Sequence, residues 1–477
     1  MEKTFQKIKK EISTDTYAAT EKGEHSRYQI NKKNYQKILI KNIPFIFTCD
    51  ETEKLRYLEN HSIVIENDTI REVLPSSKIR SQDFDLIYDA GKRGGVMITP
   101  GMINTHAHIH MYLLRSAMLL DEKETVDQTI ADMAVWQRYE TENSYTYASL
   151  GDITEQQKNG ITTTLTHGPS FLASEIASRI SRQNIVSAVS AVSNSRPENN
   201  PQMVANLLAR KKEFVSIPAV SLHYLWKTSP KILKEIKKIT EAHNALLTFH
   251  MAESPAVVEE TLKKHAMSET EVLEKNGLLN ERSIASHAIH LKQKEIEKLS
   301  RAKVGIAHLP TSNTIHKSGT FPFWSFNEAG GYPFVSLGTD SVVSKNRLDL
   351  LSEAYQARIT HLYSRTIKFG SLFKMTTLNG ARVLGMTDRG RILPGMKADL
   401  VFWKIKDRSL LPFDQKNPFS LLGNLITHSG KTVRDLMING KFVIQNRKHQ
   451  TVNESRLMEI LQERHMKMRR KVEKEMK

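Results

Sequence analysis

The chain has 477 residues, 39% of them hydrophobic and 25% charged, so it can bury a large core in one barrel with additions or in a few domains. Its single cysteine, Cys49, excludes an intramolecular disulfide and fits a reducing compartment. The sequence has no apolar run near the ~18 residues of a membrane span, and its start lacks the apolar core of a signal peptide, so we expect a cytoplasmic protein.

The chain has 69 Lys and Arg residues but only 52 Asp and Glu residues, which gives a net charge of +17. This charge allows two interpretations. One is a nucleic-acid partner, and the other is a solvated basic surface. The basic residues are spread along the chain and mixed with acids, although both ends are somewhat richer in them. No basic stripe with interleaved aromatic residues occurs. We therefore favour a solvated surface over nucleic-acid binding.

Residues 1–36 predict a basic, polar extension, in which only Phe5, Ile8 and Ile12 hint at a helical turn or two. Residues 37–99 contain short runs of β-branched residues separated by polar turns. Such runs are typical of a small β unit. The predicted strands are Ile38–Ile40, Pro44–Thr48, Ser62–Glu66 and Thr69–Val73.

Residues 100–388 alternate between strand and helix patterns. After a first strand that ends at the histidine pair His106 and His108, the predicted strands are Ile161–His167, Ile185–Val192, Phe214–His223, Ala245–His250, Ser283–His287, Lys303–Ala307 and Phe334–Asp340. The predicted helices are Asp127–Trp136, Tyr145–Asn159, Ser174–Arg182, Gln202–Glu213, Pro230–His243, Glu259–Asn276, Gln293–Arg301, Asp349–His361 and Phe369–Leu384. Such alternation implies parallel βαβ units, and eight strands suggest a closed (β/α)8 TIM-like barrel of the α/β class.

Residues 389–450 return to short strands, predicted at Gly390–Leu393, Asp399–Trp403, Thr432–Ile438 and Lys441–Ile444. We expect them to join residues 37–99 in one composite β-sandwich beside the barrel. Residues 451–477 place apolar side chains at helical spacing, which predicts a terminal helix that is either docked or solvated.

Histidines at the ends of the predicted strands indicate a metal site. His106 and His108 lie two residues apart in an extended chain and so point to the same side, as two ligands of one metal must. Alone, this pair is a weak signal among 18 histidines. The pattern recurs, however, at His167, His223, His250, His287 and Asp340. Barrel enzymes place their chemistry at these strand ends, and three imidazoles with a carboxylate suit a divalent metal that keeps a position for water.

Several longer motifs resemble the amidohydrolase superfamily. They are Thr-Pro-Gly-Met-Ile-Asn-Thr-His-Ala-His, Phe-His-Met-Ala-Glu, Ser-His-Ala-Ile-His-Leu, Pro-Thr-Ser-Asn and Leu-Gly-Thr-Asp, followed by Asn379-Gly380-Ala381-Arg382 and the Leu393–Leu400 segment. The branch they resemble is the cytosine deaminase and chlorohydrolase-like one, which includes triazine hydrolases and guanine and adenosine-type deaminases. The resemblance covers about residues 37–444, in the same order.

The resemblance implies that His106, His108, His250 and Asp340 bind a single divalent metal ion, zinc or iron. Strand four ends in His223 rather than in the lysine that bridges two metals in some relatives, so we expect one ion. By the same resemblance His287 orients the water or the developing oxyanion, and His223 contacts the substrate. No matching role exists for His167, which we expect to be a supporting or core residue.

The expected chemistry follows from these groups. A divalent metal lowers the pKa of water to about 7 and supplies hydroxide at neutral pH, with Asp340 as the proton acceptor. Glu253, three residues after His250, can protonate a ring nitrogen beside the attacked carbon. Alternatively, it is only a solvated glutamate at a helix start.

Further candidates for the pocket lie on the connections between strands. Arg115 and Trp136 follow strand one and could line the entrance to the site. Trp324 belongs to an aromatic run, residues 321–326, that is either a lid or ordinary packing. We expect these three residues to contact the substrate.

The sequence therefore predicts a hydrolase of C–N bonds that deaminates an aromatic N-heterocycle, such as a purine, pyrimidine, pterin or triazine. Glu253 favours deamination over dechlorination, because an amine needs a proton donor to leave and chloride does not. Hydrolysis of an amide or cyclic amidine stays open. So does a non-catalytic scaffold, although scaffolds typically lose ligands and all four are present here. The partner is a small molecule, and a homodimer is compatible with the resemblance.

Overall fold

The computed structural model describes residues 1–13, 35–80, 83–92, 95–117, 125–192, 199–344, 347–428 and 433–475. Most of the predicted N-terminal extension, residues 14–34, lies outside them. The described strands form two sheets, one of nine strands and one of eight. The strands before the eight-stranded sheet are β1 (Lys37–Cys49), β2 (Leu55–Glu66), β3 (Thr69–Pro75), β4 (Leu86–Asp89) and β5 (Val96–Pro100).

The eight-stranded sheet is the predicted barrel. Its strands pair in parallel, and each pairs with its neighbour in the sequence. They are β6 (Met102–Ala107), β7 (Ile161–Gly168), β8 (Asn184–Ser190), β9 (Ile217–Tyr224), β10 (Leu247–Met251), β11 (Ser283–His287), β12 (Gly305–His308) and β13 (Val335–Leu337). Because all eight run in one direction, their carboxyl ends meet at one rim, which is where the predicted site residues stand.

Strands after the barrel return to the nine-stranded sheet. They are β14 (Leu400–Lys404), β15 (Val433–Ile438), β16 (Lys441–Gln445) and β17 (Lys448–His449). β14 pairs antiparallel with β5, and β5 pairs in parallel with β1, so segments from both sides of the barrel share one sheet. The predicted boundaries of the four chain regions stay predictions.

The helices lie mainly between the barrel strands. They are α1 (Glu2–Ile12), α2 (Val126–Gln137), α3 (Glu142–Lys158), α4 (Phe171–Ser181), α5 (Pro201–Ala209), α6 (Pro230–His243), α7 (Pro255–His265), α8 (Glu269–Lys275), α9 (Gln293–Arg301), α10 (Pro310–Ile315), α11 (Phe323–Glu328), α12 (Leu350–His361), α13 (Phe369–Thr376), α14 (Leu378–Val383), α15 (Phe419–His428) and α16 (Glu454–Glu475). Helices α6 and α7 each have a serine N-cap followed by proline. In both, the hydroxyl of the N-cap, Ser229 or Ser254, accepts the backbone N–H of the third helical residue. Among the described residues, no helix is both long and apolar enough to cross a bilayer.

Several of the predicted elements differ from the structure. The strands predicted at Ile38–Ile40 and Pro44–Thr48 are one strand, β1. The helix predicted at 259–276 is two helices, α7 and α8, because Ala266 adopts a left-handed conformation with φ of 52°. The helix predicted at 369–384 breaks at Thr377, whose φ and ψ are −128° and −90°. Residues 390–393 form no strand and lead instead into the turn at Gly395, with φ of 87°.

The two chain ends pack together beside the first barrel connection. Ile8 and Ile12 of α1 are buried with Leu457 and Ile460 of α16 in one apolar cluster. The expected one or two helical turns at the N-terminus are thus an 11-residue helix. The alternative of a docked terminal helix agrees with the burial of one face of α16.

Backbone hydrogen bonds and the side chain of Asn104 join the first barrel strand to the segment after the last one. The backbone N–H groups of Thr339 and Asp340 donate to the carbonyl of His106, at 3.1 and 3.0 Å. Asn104, inside β6, accepts the N–H of Thr339 at 3.1 Å and that of His106 at 3.3 Å through Oδ1. Its Nδ2 donates to Thr339 Oγ1 at 2.8 Å. The buried amide of Asn104 therefore holds β6 in register with the segment that follows β13.

Candidate active site

The rim of the barrel brings the four predicted metal ligands together. Nε2 of His108 lies 3.3 Å from Nε2 of His250, and Asp340 Oδ1 lies 3.7 and 3.6 Å from Nε2 of His106 and His108. All four residues are buried, with at most 7% of their surface exposed. Ligand atoms of His106, His250 and His287 also lie within 4.8 Å of one another. His287 therefore stands at the edge of the same cluster.

Hydrogen bonds at Nδ1 aim the imidazoles at the centre of the cluster. Nδ1–H of His108 donates to the carbonyl of His167 at 3.2 Å, and Nδ1–H of His250 donates to the carbonyl of His223 at 3.0 Å. Carbonyls only accept, so in the neutral rings the two Nε2 atoms carry lone pairs. His106 Nδ1 contacts Ser286 Oγ at 2.7 Å, and its buried Nε2 has no hydrogen-bond partner among the described residues.

This arrangement fits a divalent metal. Two lone pairs that face each other at 3.3 Å repel unless a cation lies between them. Two nitrogens bound to a tetrahedral zinc ion at about 2.1 Å lie about 3.4 Å apart. The donor set of three imidazoles and one carboxylate suits zinc or iron.

The protonation states suit metal binding as well. Burial lowers the pKa of the imidazoles of His106 and His250, and it lowers the pKa of His108 to about 4. Burial also acts to raise the pKa of Asp340, but the adjacent imidazoles of His106 and His108 outweigh it and hold that pKa well below its usual value. At neutral pH the cluster therefore offers neutral imidazoles and an ionised carboxylate, the forms that ligate metals.

The backbone turns sharply at these strand ends. His223, His287 and Asp340 have φ of 59°, 70° and 57°, in the left-handed region that side chains other than glycine rarely adopt. Positive φ re-aims a side chain relative to the regular alternation of a strand. Such conformations cluster at functional sites, where the surrounding structure maintains them.

Glu253 lies beside the ligand cluster and is 3% exposed. Its Oε1 is 3.5 Å from Nε2 of His287, and its Oε2 accepts the hydroxyl of Tyr224 at 2.7 Å. His287 is fixed in turn by its Nδ1–H, which donates to Asn313 Oδ1 at 2.8 Å. Glu253 is thus a buried carboxyl rather than a solvated glutamate at a helix start.

Several supporting residues were missed by the sequence reasoning. Ser312 Oγ donates to Asp340 Oδ2 at 2.5 Å, and Glu269 Oε2 accepts the N–H of Ala252 at 2.6 Å, next to Glu253. Ser312 stands in the Pro-Thr-Ser-Asn motif, whose position after strand seven was the available signal. Glu269 begins a separate helix, and no sequence spacing connects it with the site.

His223 and His167 occupy the inner wall of the barrel. The ring of His223 lies 4.8 Å from that of His250 and 6.5 Å from that of His108. Its predicted contact with substrate stays a prediction. His167 contacts Ser221 Oγ at 3.1 Å and Thr248 Oγ1 at 2.9 Å, so its ring links β7, β9 and β10 in the supporting role we expected.

Arg115, Trp136 and Trp324 make contacts away from the ligand cluster. The guanidinium of Arg115 pairs with Glu155 at 2.8 Å, and the Trp136 ring stacks on His465 of α16 at 5.5 Å. Trp324 lies under Arg365 at 3.8 Å. Phe321, Phe323 and Phe326 of the same aromatic run are buried, which supports packing over a lid. The assignment of Arg115, Trp136 and Trp324 to substrate binding stays a prediction that these contacts do not support.

We expect Asn104→Ala to weaken metal binding without removing a ligand. The substitution removes the Asn104 acceptor of the buried His106 N–H and one of the two acceptors of the Thr339 N–H, which costs about 1–3 kcal/mol in the free energy of unfolding. Loss of support behind ligands typically lowers metal affinity about 10–100-fold. Chemical denaturation and zinc competition with a chelating dye measure the two effects. Asn206→Ala, at an exposed position of α5, is the control, and equal zinc affinity in both variants would contradict this role.

Comparisons with known proteins agree with this geometry. The profile of the amidohydrolase family matches residues 97–443. The 5-methylthioadenosine/S-adenosylhomocysteine deaminase of Pyrococcus furiosus is 30% identical over 88% of this chain and 98% of its own length. The solved structure of atrazine chlorohydrolase from Arthrobacter aurescens, complexed with zinc, superposes with a TM-score of 0.80 at 20% identity, covering 90% of this chain and 100% of that one.

A zinc-bound adenosine deaminase structure from Xanthomonas campestris has a TM-score of 0.81 at 21% identity, covering 91% of this chain and 98% of that one. The predicted fold class and hydrolase class are confirmed, and the predicted divalent metal agrees with the zinc in both solved structures and with the His and Asp cluster of this chain. Because the family profile spans most of the sequence and its motifs stand at the barrel rim, the chain belongs to the amidohydrolase family.

Proposed function

We propose that this protein deaminates an adenosine-type purine nucleoside by metal-dependent hydrolysis. The observation that carries the proposal is the buried carboxyl of Glu253 beside the ligand cluster, 3.5 Å from His287. Replacing an amino group on a ring needs such a proton donor, because the aromatic ring is a poor electrophile and the amine is a poor leaving group. The purine nucleoside class is suggested by the name of the Pyrococcus furiosus relative.

We further propose that His106, His108, His250 and Asp340 hold one zinc or iron ion. When bound, such an ion lowers the pKa of water to about 7 and so supplies hydroxide at neutral pH. Nδ1 of each of His108 and His250 is held by a backbone carbonyl, which keeps the rings in place before the substrate arrives.

The side chains then move the protons. Asp340 accepts the proton that water loses, while Glu253 protonates the ring nitrogen next to the attacked carbon. Nε2 of His287 faces the same space and orients the attacking oxygen, because its Nδ1–H is committed to Asn313. The hydroxyl of Tyr224 holds the other oxygen of Glu253, so that Oε1 remains the proton-carrying atom.

The reaction balances with water as the only other reactant. A C–O bond forms at the carbon that bears the amino group, and the C–N bond to that group breaks. Asp340 passes its proton to the departing amine, which leaves as ammonia. As the carbonyl forms, the hydroxyl proton returns to Glu253. The products are ammonia and a ring that carries a carbonyl and a protonated nitrogen.

The test is ammonia release from a panel of compounds with zinc-loaded protein. The panel contains adenosine, 5-methylthioadenosine, S-adenosylhomocysteine, guanine, cytosine, a pterin and an aminotriazine. We expect ammonia from one or more of the three adenine nucleosides, and a loss of at least about 100-fold after the metal is removed with dipicolinate. Zinc added back restores the activity, and metal analysis of the same sample gives the stoichiometry.

Other outcomes would replace the proposal. Ammonia only from guanine, cytosine, pterin or triazine would keep the deaminase and overturn the nucleoside. Chloride release from atrazine without deamination would make the protein a dechlorinase. Turnover of amides or cyclic amidines alone would show that the protein hydrolyses those bonds and is not a deaminase. A metal-free protein whose cellular role survives His250→Ala would be a scaffold.

We also propose a cytoplasmic location and a small-molecule rather than nucleic-acid partner, as the composition suggested. From the resemblance we propose a homodimer. Sedimentation of the purified protein tests the last of these. The spread of basic residues along the chain supports the second.

A further inference from the structure

A cavity of about 830 Å³ is lined by none of the residues of the ligand cluster. It is lined by the start of β2, the segment that enters β13, the first turns of α13, and α15. Tyr332, in its wall, precedes the amino end of β13, whereas Asp340 follows the carboxyl end of the same strand. The cavity and the ligand cluster therefore stand at opposite ends of the barrel. Its volume is within the range of pockets for small molecules, about 300–1,000 Å³.

Three lysines give this cavity its charge. Lys54, Lys368 and Lys374 line it, and no aspartate or glutamate does. None of the three has a carboxylate ion-pair partner among the described residues. Two acids close to Lys54 in sequence are already paired, Asp50 with Arg56 at 2.8 Å and Glu53 with Arg382, and Glu51 does not line the cavity. Lysines that line one cavity without carboxylates raise the local concentration of anions.

Aromatic and aliphatic side chains form the rest of the wall. Phe369, Phe419, Leu55 and Leu422 line the cavity beside the lysines. Phe419 is 36% exposed even though it packs edge-on against Tyr57 at 5.2 Å. Arg358 covers the ring of Phe369 at 4.3 Å. Partly exposed rings next to cations are complementary to a molecule with an aromatic body and an anionic group.

We propose that this cavity binds a small organic anion whose aromatic ring lies against Phe369 and Phe419 and whose phosphate or carboxylate group faces the three lysines. The hydroxyl of Tyr332 donates to the carbonyl of Ser371 at 3.0 Å, which ties the entry to β13 to α13 in the same wall. The ligand thus contacts both the helix and the segment that starts the last barrel strand. The proposal does not depend on the substrate of the active site.

Calorimetric titration with 1-naphthyl phosphate tests the proposal, with 1-naphthol and inorganic phosphate as partial ligands. We expect one site per chain for the complete molecule, and binding about tenfold or more weaker for either part alone. The triple variant Lys54→Met, Lys368→Met and Lys374→Met should weaken binding of naphthyl phosphate by at least about tenfold. The matched control is Lys231→Met, Lys234→Met and Lys294→Met, which removes three exposed charges elsewhere and should bind normally.

A second variant tests whether the ligand binds in this cavity without changing the charge of the cavity. A Cβ added at Gly423 would meet the ring of Phe369 at 3.4 Å, an ordinary contact, so Gly423→Leu should fold and fill part of the cavity. We expect it to weaken binding as the lysine variant does. Equal binding in wild type and both cavity variants would place naphthyl phosphate elsewhere and overturn the proposal. Absence of saturable binding, or equal affinity for 1-naphthol, would overturn it too.

Discussion

Asp340→Asn should lower turnover of the best substrate by about 10³-fold or more, because the amide cannot accept the proton that water loses. Asp340 is also one of four proposed ligands, with Oδ1 at 3.7 and 3.6 Å from Nε2 of His106 and His108. An uncharged amide there removes the only carboxylate of that ligand set, so bound zinc should also decrease. The measurements are initial rates of ammonia release at saturating substrate and zinc content after dialysis.

The matched control is Asp349→Asn. Asp349 caps α12 by accepting the N–H groups of Leu351 and Ser352 through Oδ1, at 2.9 and 3.4 Å. Asparagine caps a helix about as well as aspartate does, so this variant should keep its activity and its metal. If Asp340→Asn turns over substrate at more than about a tenth of the wild-type rate, the role of Asp340 as proton acceptor is wrong.

The barrel could be predicted because its strands carry a repeated signal. Each buried β-branched run is followed by a helical pattern, and the polar residues at the strand ends mark the rim. Local breaks carried no such signal. Ala266 adopts a left-handed conformation between α7 and α8, although alanine is the best helix former, because the chain must turn before α8, whose N-cap is Ser268. Packing decides such a break, and periodicity does not detect it.

The sequence predicted which residues share the rim but not how their side chains are oriented. His106, His250 and Asp340 lie at the ends of parallel strands, so their positions in the sequence are sufficient to place them at one rim. The orientation of the imidazole rings could not be predicted in this way. It depends on carbonyls and hydroxyls from other strands, such as Ser286 behind His106. The positive φ of Asp340 likewise follows from the joining of the last strand to the first, which no local pattern shows.

The predicted pocket-entrance residues show the same limit. Arg115 looked free to line the entrance, yet its partner Glu155 is 40 residues further along the chain, on α3. Trp136 stacks on His465, which belongs to the terminal helix. Long connections gain their contacts from whichever elements pack over them. Residue type alone therefore could not separate an entrance residue from a packing residue.

Glu253→Gln should separate proton transfer from metal binding. The glutamine keeps an oxygen that can accept the Tyr224 hydroxyl, so the pocket should keep its shape, but it cannot supply a proton. We expect kcat for deamination to decrease about 10²–10⁴-fold, with zinc content unchanged. Glu259→Gln is the control, because Glu259 is exposed on the following helix, and its one ion pair among the described residues is with Lys263, at 2.9 Å. Loss of zinc in Glu253→Gln would instead mark Glu253 as a ligand or a structural residue.

A substrate with a different leaving group gives this variant a sharper test. A 6-chloropurine nucleoside presents the same ring with chloride in place of the amino group, which makes the attacked carbon a better electrophile and attack less dependent on a proton at the ring nitrogen. If Glu253 protonates the ring nitrogen, Glu253→Gln should impair release of ammonia more than release of chloride from the matched pair. Equal losses for both substrates would show that Glu253 only shapes the pocket. Because the two compounds differ at one substituent, that ratio reports how strongly the attack depends on the proton from Glu253.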